Sequence, residues 1–120
     1  MLGLAHASSY HWGLVGKPSN RAVSEWQISR IYAELGQPDL ALRYAKSCEA
    51  TCRSNGLSEI AHTADEAMAR AYAVGKDFKN ARLYLNRARE RLDKLTLEKD
   101  DRSVYMKQIS ETEALVLRRP

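Results

Sequence analysis

Glycine and proline are scarce in this chain, six and three among 120 residues. Few turns can be built from so few of them, and long helices are favoured over many short strands. Alternation of apolar and polar residues is nowhere sustained, so no strand is expected. Cysteine occurs only as Cys48 and Cys52, which makes no disulfide framework, and the chain does not read as secreted. The opening residues MLGLAHASSYHW have neither a basic start nor a sustained apolar stretch, so a signal peptide is not expected. No run approaches the roughly 20 apolar residues that cross a bilayer. The expectation is a cytoplasmic protein without a membrane partner. A Gly-rich phosphate loop, a nucleophile elbow and paired carboxylates flanked by histidine are also missing, so no enzyme activity, cofactor or metal is expected.

What is present suits one soluble domain: 44% hydrophobic and 28% charged residues, with a net charge of +4. Glycine and proline divide it into about six helices. The first runs from about Leu2 to Val15, with Leu4, Ala5, Ser8, Trp12 and Val15 at helical spacing, and stops at Gly16-Lys17-Pro18. Asn20 is placed to cap a second helix that reaches Leu35, and Gly36 fits the left-handed residue that ends it. Pro38 sits where a first helical turn tolerates proline, and the third helix runs to about Arg53 before Asn55-Gly56. Ser58 opens a fourth helix to Val74, Asp77 caps a fifth over Phe78 to Leu95, and a sixth spans Lys99 to Leu117.

A shift of forty residues overlays the chain on itself: Tyr32 on Tyr72, Ala33 on Ala73, Ala41 on Ala81, Tyr44 on Tyr84, Cys48 on Ala88. Small and aromatic residues dominate these pairs because two helices that cross closely need a small side on one and a ring to fill the space beside it. Carried backward, the shift sets Gly16 on Gly56, Ala5 on Ala45 and Trp12 on Cys52. The first helix thus matches the second helix of a hairpin. The expected organisation is a half repeat at 1–16, repeats at 20–56 and 58–95, and a capping helix at 99–117.

The runs YAELGQPDLA (residues 32–41) and AYAVGKDF (residues 71–78) resemble the turn region of tetratricopeptide repeats. There a Tyr on the first helix precedes a turn Gly and an Ala early in the second helix, here Ala41 and Ala81. Cys48 and Ala88 match the family's later small position. The resemblance covers Asn20 to Leu95, and the block Ala5 to Gly13 is similar to part of a group of bacterial proteins with such repeats, which implies no activity. Three departures are evident. The repeat is about six residues longer than the family's, Glu25 and Asp65 stand where its early Trp would be, and the second turn has its glycine at Gly75 instead of position 76.

The resemblance implies an all-α superhelix of antiparallel hairpins whose first helices line an inner face. Val23, Trp26, Arg30 and Glu34 would line it in one repeat, and Thr63, Glu66, Arg70 and Val74 in the next. Arg30 and Arg70, forty apart and beside an aromatic ring, suit a carboxylate or an extended acidic peptide. The other reading is that they pair with Glu34 and Glu66 on a solvated surface. The family's carboxylate clamp of two Lys and two Asn is not reproduced. The functional expectation is a module that binds a protein or peptide without catalysis; the alternative is a small homo-oligomeric ligand-binding or regulatory protein. A first helix without its mate would expose Leu2, Ala5, Tyr10 and Trp12, which points to a homodimer through that helix or to a fragment of a longer protein.

Other constellations are weighed by spacing. His6 and His11 are five apart, which does not put two ligands on one helical face. Cys48 and Cys52 do share a face, but zinc wants four ligands and His62 is the sole later candidate, so they read as core. Lys79, Arg82, Arg87, Arg89, Arg91 and Lys94 make the fifth helix basic, yet Asn80, Asn86, Glu90 and Asp93 interrupt them; a solvated face is expected and nucleic-acid binding is not. Glu111 and Glu113 read as exposed helix surface.

Overall fold

A computed structural model describes residues 18–95 and 99–117. They form five helices: α1 Pro18–Glu34, α2 Pro38–Ser54, α3 Ala61–Val74, α4 Phe78–Asp93 and α5 Lys99–Leu117. The fold is all-α, as expected. The helix expected over residues 2–15, with Leu2, Ala5, Tyr10 and Trp12, lies outside the described residues.

Three helix starts and ends differ from the sequence reading. α1 begins at Pro18, so Asn20 lies inside the first turn and does not cap it; proline is pre-set for a first helical position and lengthens the helix backward. α3 begins at Ala61, not Ser58. Residues 57–60 form a turn in which Ile60 N–H bonds Leu57 O at 3.2 Å, so that Leu57 and Ile60 cover the cluster of Ala22, Cys48, Cys52 and Ala64. α4 ends at Asp93, two residues before Leu95. Asp77 does cap α4, accepting from Asn80 N–H.

The helices pair as two hairpins, α1 with α2 and α3 with α4, and α3 packs against all four of the other described helices. It is accordingly buried almost all round, from Ala61 to Ala73. α1 and α5 flank it on one side and do not pack on each other. The core is built largely of alanine, with Ala41, Ala45, Ala69, Ala81 and Ala88 fully enclosed. Alanine lets the helix backbones approach, and rings then fill the spaces beside it. Tyr32 stacks on Tyr44 at 5.6 Å and Tyr72 on Tyr84 at 5.7 Å. These two stacks occupy equivalent places forty residues apart, so the repeat in the sequence is a repeat in space.

The hairpin turns repeat as well. Gln37 N–H closes onto Tyr32 O, and Asp77 N–H onto Tyr72 O, both at 2.9 Å. Gly36 takes the left-handed conformation with φ 71°, and its equivalent is Lys76 with φ 65°. The displaced glycine has a separate reason. A Cβ on Gly75 would stand 3.2 Å from the Cβ of Pro38, so glycine there lets the second turn sit closely against the first. Lys76 then bears a conformation that L-residues resist. We predict that Lys76→Gly stabilises the fold by about 0.5–1 kcal/mol, whereas Gly36→Ala costs about 1 kcal/mol, both read from urea unfolding midpoints.

Candidate functional site

The side of the molecule on which α1, α3 and α5 lie next to one another is organised around one carboxylate. Glu66 on α3 is 2% exposed. Its Oε2 accepts from Trp26 Nε1 on α1 at 2.8 Å. Its Oε1 accepts from Thr112 Oγ1 on α5 at 2.6 Å and from the Nε and Nη2 of Arg70 at 3.1 and 3.0 Å. An ionised carboxylate enclosed in protein is tolerable only when its lone pairs are met in this way. Donors from three helices thus fix α1 and α5 against α3.

Above this point the charges open to solvent. Arg70 is buried, while Arg30 is partly exposed and lies over the Trp26 ring at 5.7 Å. Arg30 pairs with Glu34 at 3.3 Å and with Glu111 at 3.4 Å, and Arg70 reaches the same Glu111 oxygen at 3.9 Å. Trp26, Arg30, Glu34, Glu66 and Arg70, expected on one face, do come together, with Val23 partly exposed on α1. The pairing of Arg30 with Glu34 and of Arg70 with Glu66 is also present. What differs is depth: Glu66 and Arg70 are enclosed under the face, and Arg30, Glu34 and Glu111 are its accessible part. Thr112 escaped the sequence reading, and Glu111, read as exposed helix surface, is exposed but also pairs with Arg30. Thr112 shares a stripe with buried Ile109 and Val116, at spacings of three and four, and that spacing was the available signal.

A second buried acid recurs in each hairpin. Glu25 on α1 accepts from Ser47 and, at 2.6 Å, from Thr51, both on α2. Forty residues on, Asp65 on α3 faces Arg87 at 3.9 Å and Arg91 at 3.0 Å on α4. Glu25 and Asp65 are forty apart, and so are their partners. The first hairpin is held there by a carboxylate and two hydroxyl donors, the second by a carboxylate and the charges of two guanidiniums. Burial lifts the Asp65 carboxyl from 3.8 to about 6, against the pull of Arg91 and Arg87. The basic residues of α4 are thus not simply solvated, since Arg87 and Arg91 meet Asp65 and Arg89 meets Glu113.

The remaining candidates are core residues. Cys48 and Cys52 are buried free thiols, and Cys48 donates to Ala22 O at 3.2 Å. A hydrogen bond with Cys52, and then burial, push the Cys48 thiol well above its usual range. His62 is 2% exposed, with its ring edge-on to Tyr105 at 4.5 Å. Among the described residues no cluster of three or more His, Cys, Asp or Glu could hold a metal, and no helix is long and apolar enough to cross a membrane. His6 and His11 lie outside the described residues. No protein-family model matches the chain, and no curated protein or solved structure matches it either.

Two predictions follow from this network. Glu66→Ala leaves Arg70 buried without its partner and is expected to cost about 3–5 kcal/mol, whereas Thr112→Val, which removes one donor of several, costs about 1–2 kcal/mol; equilibrium urea unfolding measures both. Burial holds His62 below its ordinary value of 6.5, so the unfolded chain takes up this proton first as the pH falls. Its contribution to stability is present above 6.5 and is lost on going down through the lower folded value. Asp65 runs the other way: its contribution is complete below 3.8 and is lost as the pH rises through about 6. Wild type should therefore lose more stability than His62→Gln between about pH 7 and about pH 5, measured by denaturant titration at each pH.

Proposed function

We propose that this chain is a tetratricopeptide-like interaction module that binds an acidic peptide or protein segment on the side formed by α1, α3 and α5, without catalysis. The observation that carries this reading is Arg30. Its guanidinium lies over Trp26 and, among the described residues, is matched only by Glu34 and Glu111, whose side chains are 61% and 42% exposed. Ion pairs so open to water contribute little, so a partner carboxylate exchanges for them at small cost. The aromatic face and the planar donor fork then give that carboxylate a defined seat. Glu66 and Arg70 serve beneath the seat by holding Trp26 and α5 in place, and Val23 extends the apolar margin on α1.

This division of roles selects the test. Arg70→Ala would expose the buried charge of Glu66 to the core and unfold the site, so it reports on folding. Arg30→Ala leaves the hub intact. A fluorescently labelled acidic peptide, captured first by crosslinking from the native host and then resynthesised, should bind the wild type and lose about fivefold to fiftyfold in affinity against Arg30→Ala. Unchanged affinity sinks the acidic seat.

Self-association through Leu2, Ala5, Tyr10 and Trp12 belongs to the same proposal. It is supported by the match of residues 5–16 to the second helix of a hairpin and by the apolar residues at positions 2, 5, 10 and 12. Sedimentation velocity should show a dimer that Trp12→Asp converts to monomer; a monomeric wild type removes this part of the reading.

A further inference from the structure

A second recess lies away from the Trp26 side and shares no residue with it. It is a cleft of about 260 Å³ between the end of α2, the turn at 56–58, the first turn of α3 and the last turns of α4. Arg53, Arg87 and Arg91 line it beside one acid, Glu49, with Leu57, Ala61 and Ala64 as its apolar wall. We propose that this cleft binds a small phosphate monoester, the phosphoryl oxygens on the three guanidiniums and the organic part on Leu57, Ala61 and Ala64.

Three observations converge on an anion. The first is the imbalance of donors and acceptors. Each guanidinium carries five N–H groups. Arg53 is 73% exposed and, among the described residues, holds only Glu49 at 3.4 Å, its neighbour one turn away. Arg87 and Arg91 are partly exposed at the cleft and stand beside Asp65, and Arg87 also lies over the Tyr84 ring at 5.0 Å. Planar donors in such number suit the several acceptor oxygens of a phosphoryl group.

The second is Asp65, 1% exposed and behind Arg87 and Arg91. Arg91 Nε stands 3.0 Å from Oδ2, yet neither carboxylate oxygen accepts a hydrogen bond from the described residues. In the first hairpin the equivalent Glu25 is hydrogen-bonded by Ser47 and Thr51, which are short and spend their hydroxyls on it. The arginines at the equivalent places are longer and reach past the acid into the cleft. Asp65 therefore orders the two guanidiniums by charge while leaving their N–H groups for another acceptor.

The third is the first turn of α3. Ile60 at its N-cap supplies no side-chain hydrogen bond, and Ala61 lines the cleft. The first turn of a helix of 14 residues thus borders the same space as the arginines. The apolar wall beside it distinguishes a monoester from inorganic phosphate, because only the ester has an organic part to place there.

The test is an NMR titration of the full chain with phenyl phosphate, with inorganic phosphate and sodium chloride at matched ionic strength as the other arms. The proposal expects saturable shifts at Gly56, Leu57 and Ala61 with phenyl phosphate and binding about tenfold weaker for inorganic phosphate. Arg53→Gln, which touches nothing in the core, should weaken phenyl phosphate about tenfold. Equal shifts with chloride overturn the site. Inorganic phosphate binding as well as the ester overturns the monoester, and Arg53→Gln that leaves binding unchanged overturns the role given to the arginines. Arg30→Ala should bind phenyl phosphate as wild type does, so the Trp26 face and the cleft fail or stand separately.

Discussion

The carboxylate of Glu66 is the point on which the arrangement of the helices depends. Removing a charge from water costs several kcal/mol, and the cost is met only if every donor is in place. Trp26, Arg70 and Thr112 supply those donors from α1, α3 and α5. A slide of α1 or α5 by one residue along α3 would leave the acid short of a partner in a place that water does not reach. Apolar contacts between alanine-rich helices discriminate poorly among such slides, because one small side chain packs much like the next. The polar hub supplies the discrimination that alanine lacks. It also uses the repeat asymmetrically. Trp26 and Glu66 occupy equivalent positions forty residues apart and bond each other, which two identical residues could not do so well.

The same logic recurs within each hairpin with different chemistry. Glu25 is served by two hydroxyls and Asp65 by two guanidiniums, at equivalent positions. Neutral donors satisfy an acid locally and leave the charge uncancelled. Arginines cancel the charge, stand partly in solvent and keep donors to spare. One position of the repeat is thereby a closed structural contact in the first hairpin and an open, charged one in the second.

Much of the fold was legible because the forces that shape it act on residue type at fixed spacing. Close crossing demands Ala41 and Ala81, and stacking demands Tyr32 with Tyr44 and Tyr72 with Tyr84, so the forty-residue overlay reads true in space. Helix ends were legible where one residue decides them, as at Gly36 and Asp77, and not where a neighbour decides. At Gly75 a side chain would crowd Pro38 of the other hairpin, and Ser58 yields to a turn that brings Leu57 and Ile60 onto the cysteines. The face carrying Trp26, Arg30, Glu66 and Arg70 was legible as a set, but not the depth at which each lies. A helix's own periodicity cannot report donors that arrive from residues 26 and 112.

Depth in turn sorts these residues by what they can do. A charge met on all sides, such as Glu66, has no bonding capacity left for a ligand and can act only by position. A charge whose partners are exposed, such as Arg30, or whose partner takes only part of its donors, such as Arg91, retains capacity. Both kinds are organised by the buried acids behind them: Glu66 fixes the ring under Arg30, and Asp65 aligns Arg87 and Arg91. The buried carboxylates on α3 therefore do more than join helices. Each one sets an arginine-bearing surface on a different side of the molecule, and α3, enclosed by all its neighbours, is the element through which the two sides share a frame.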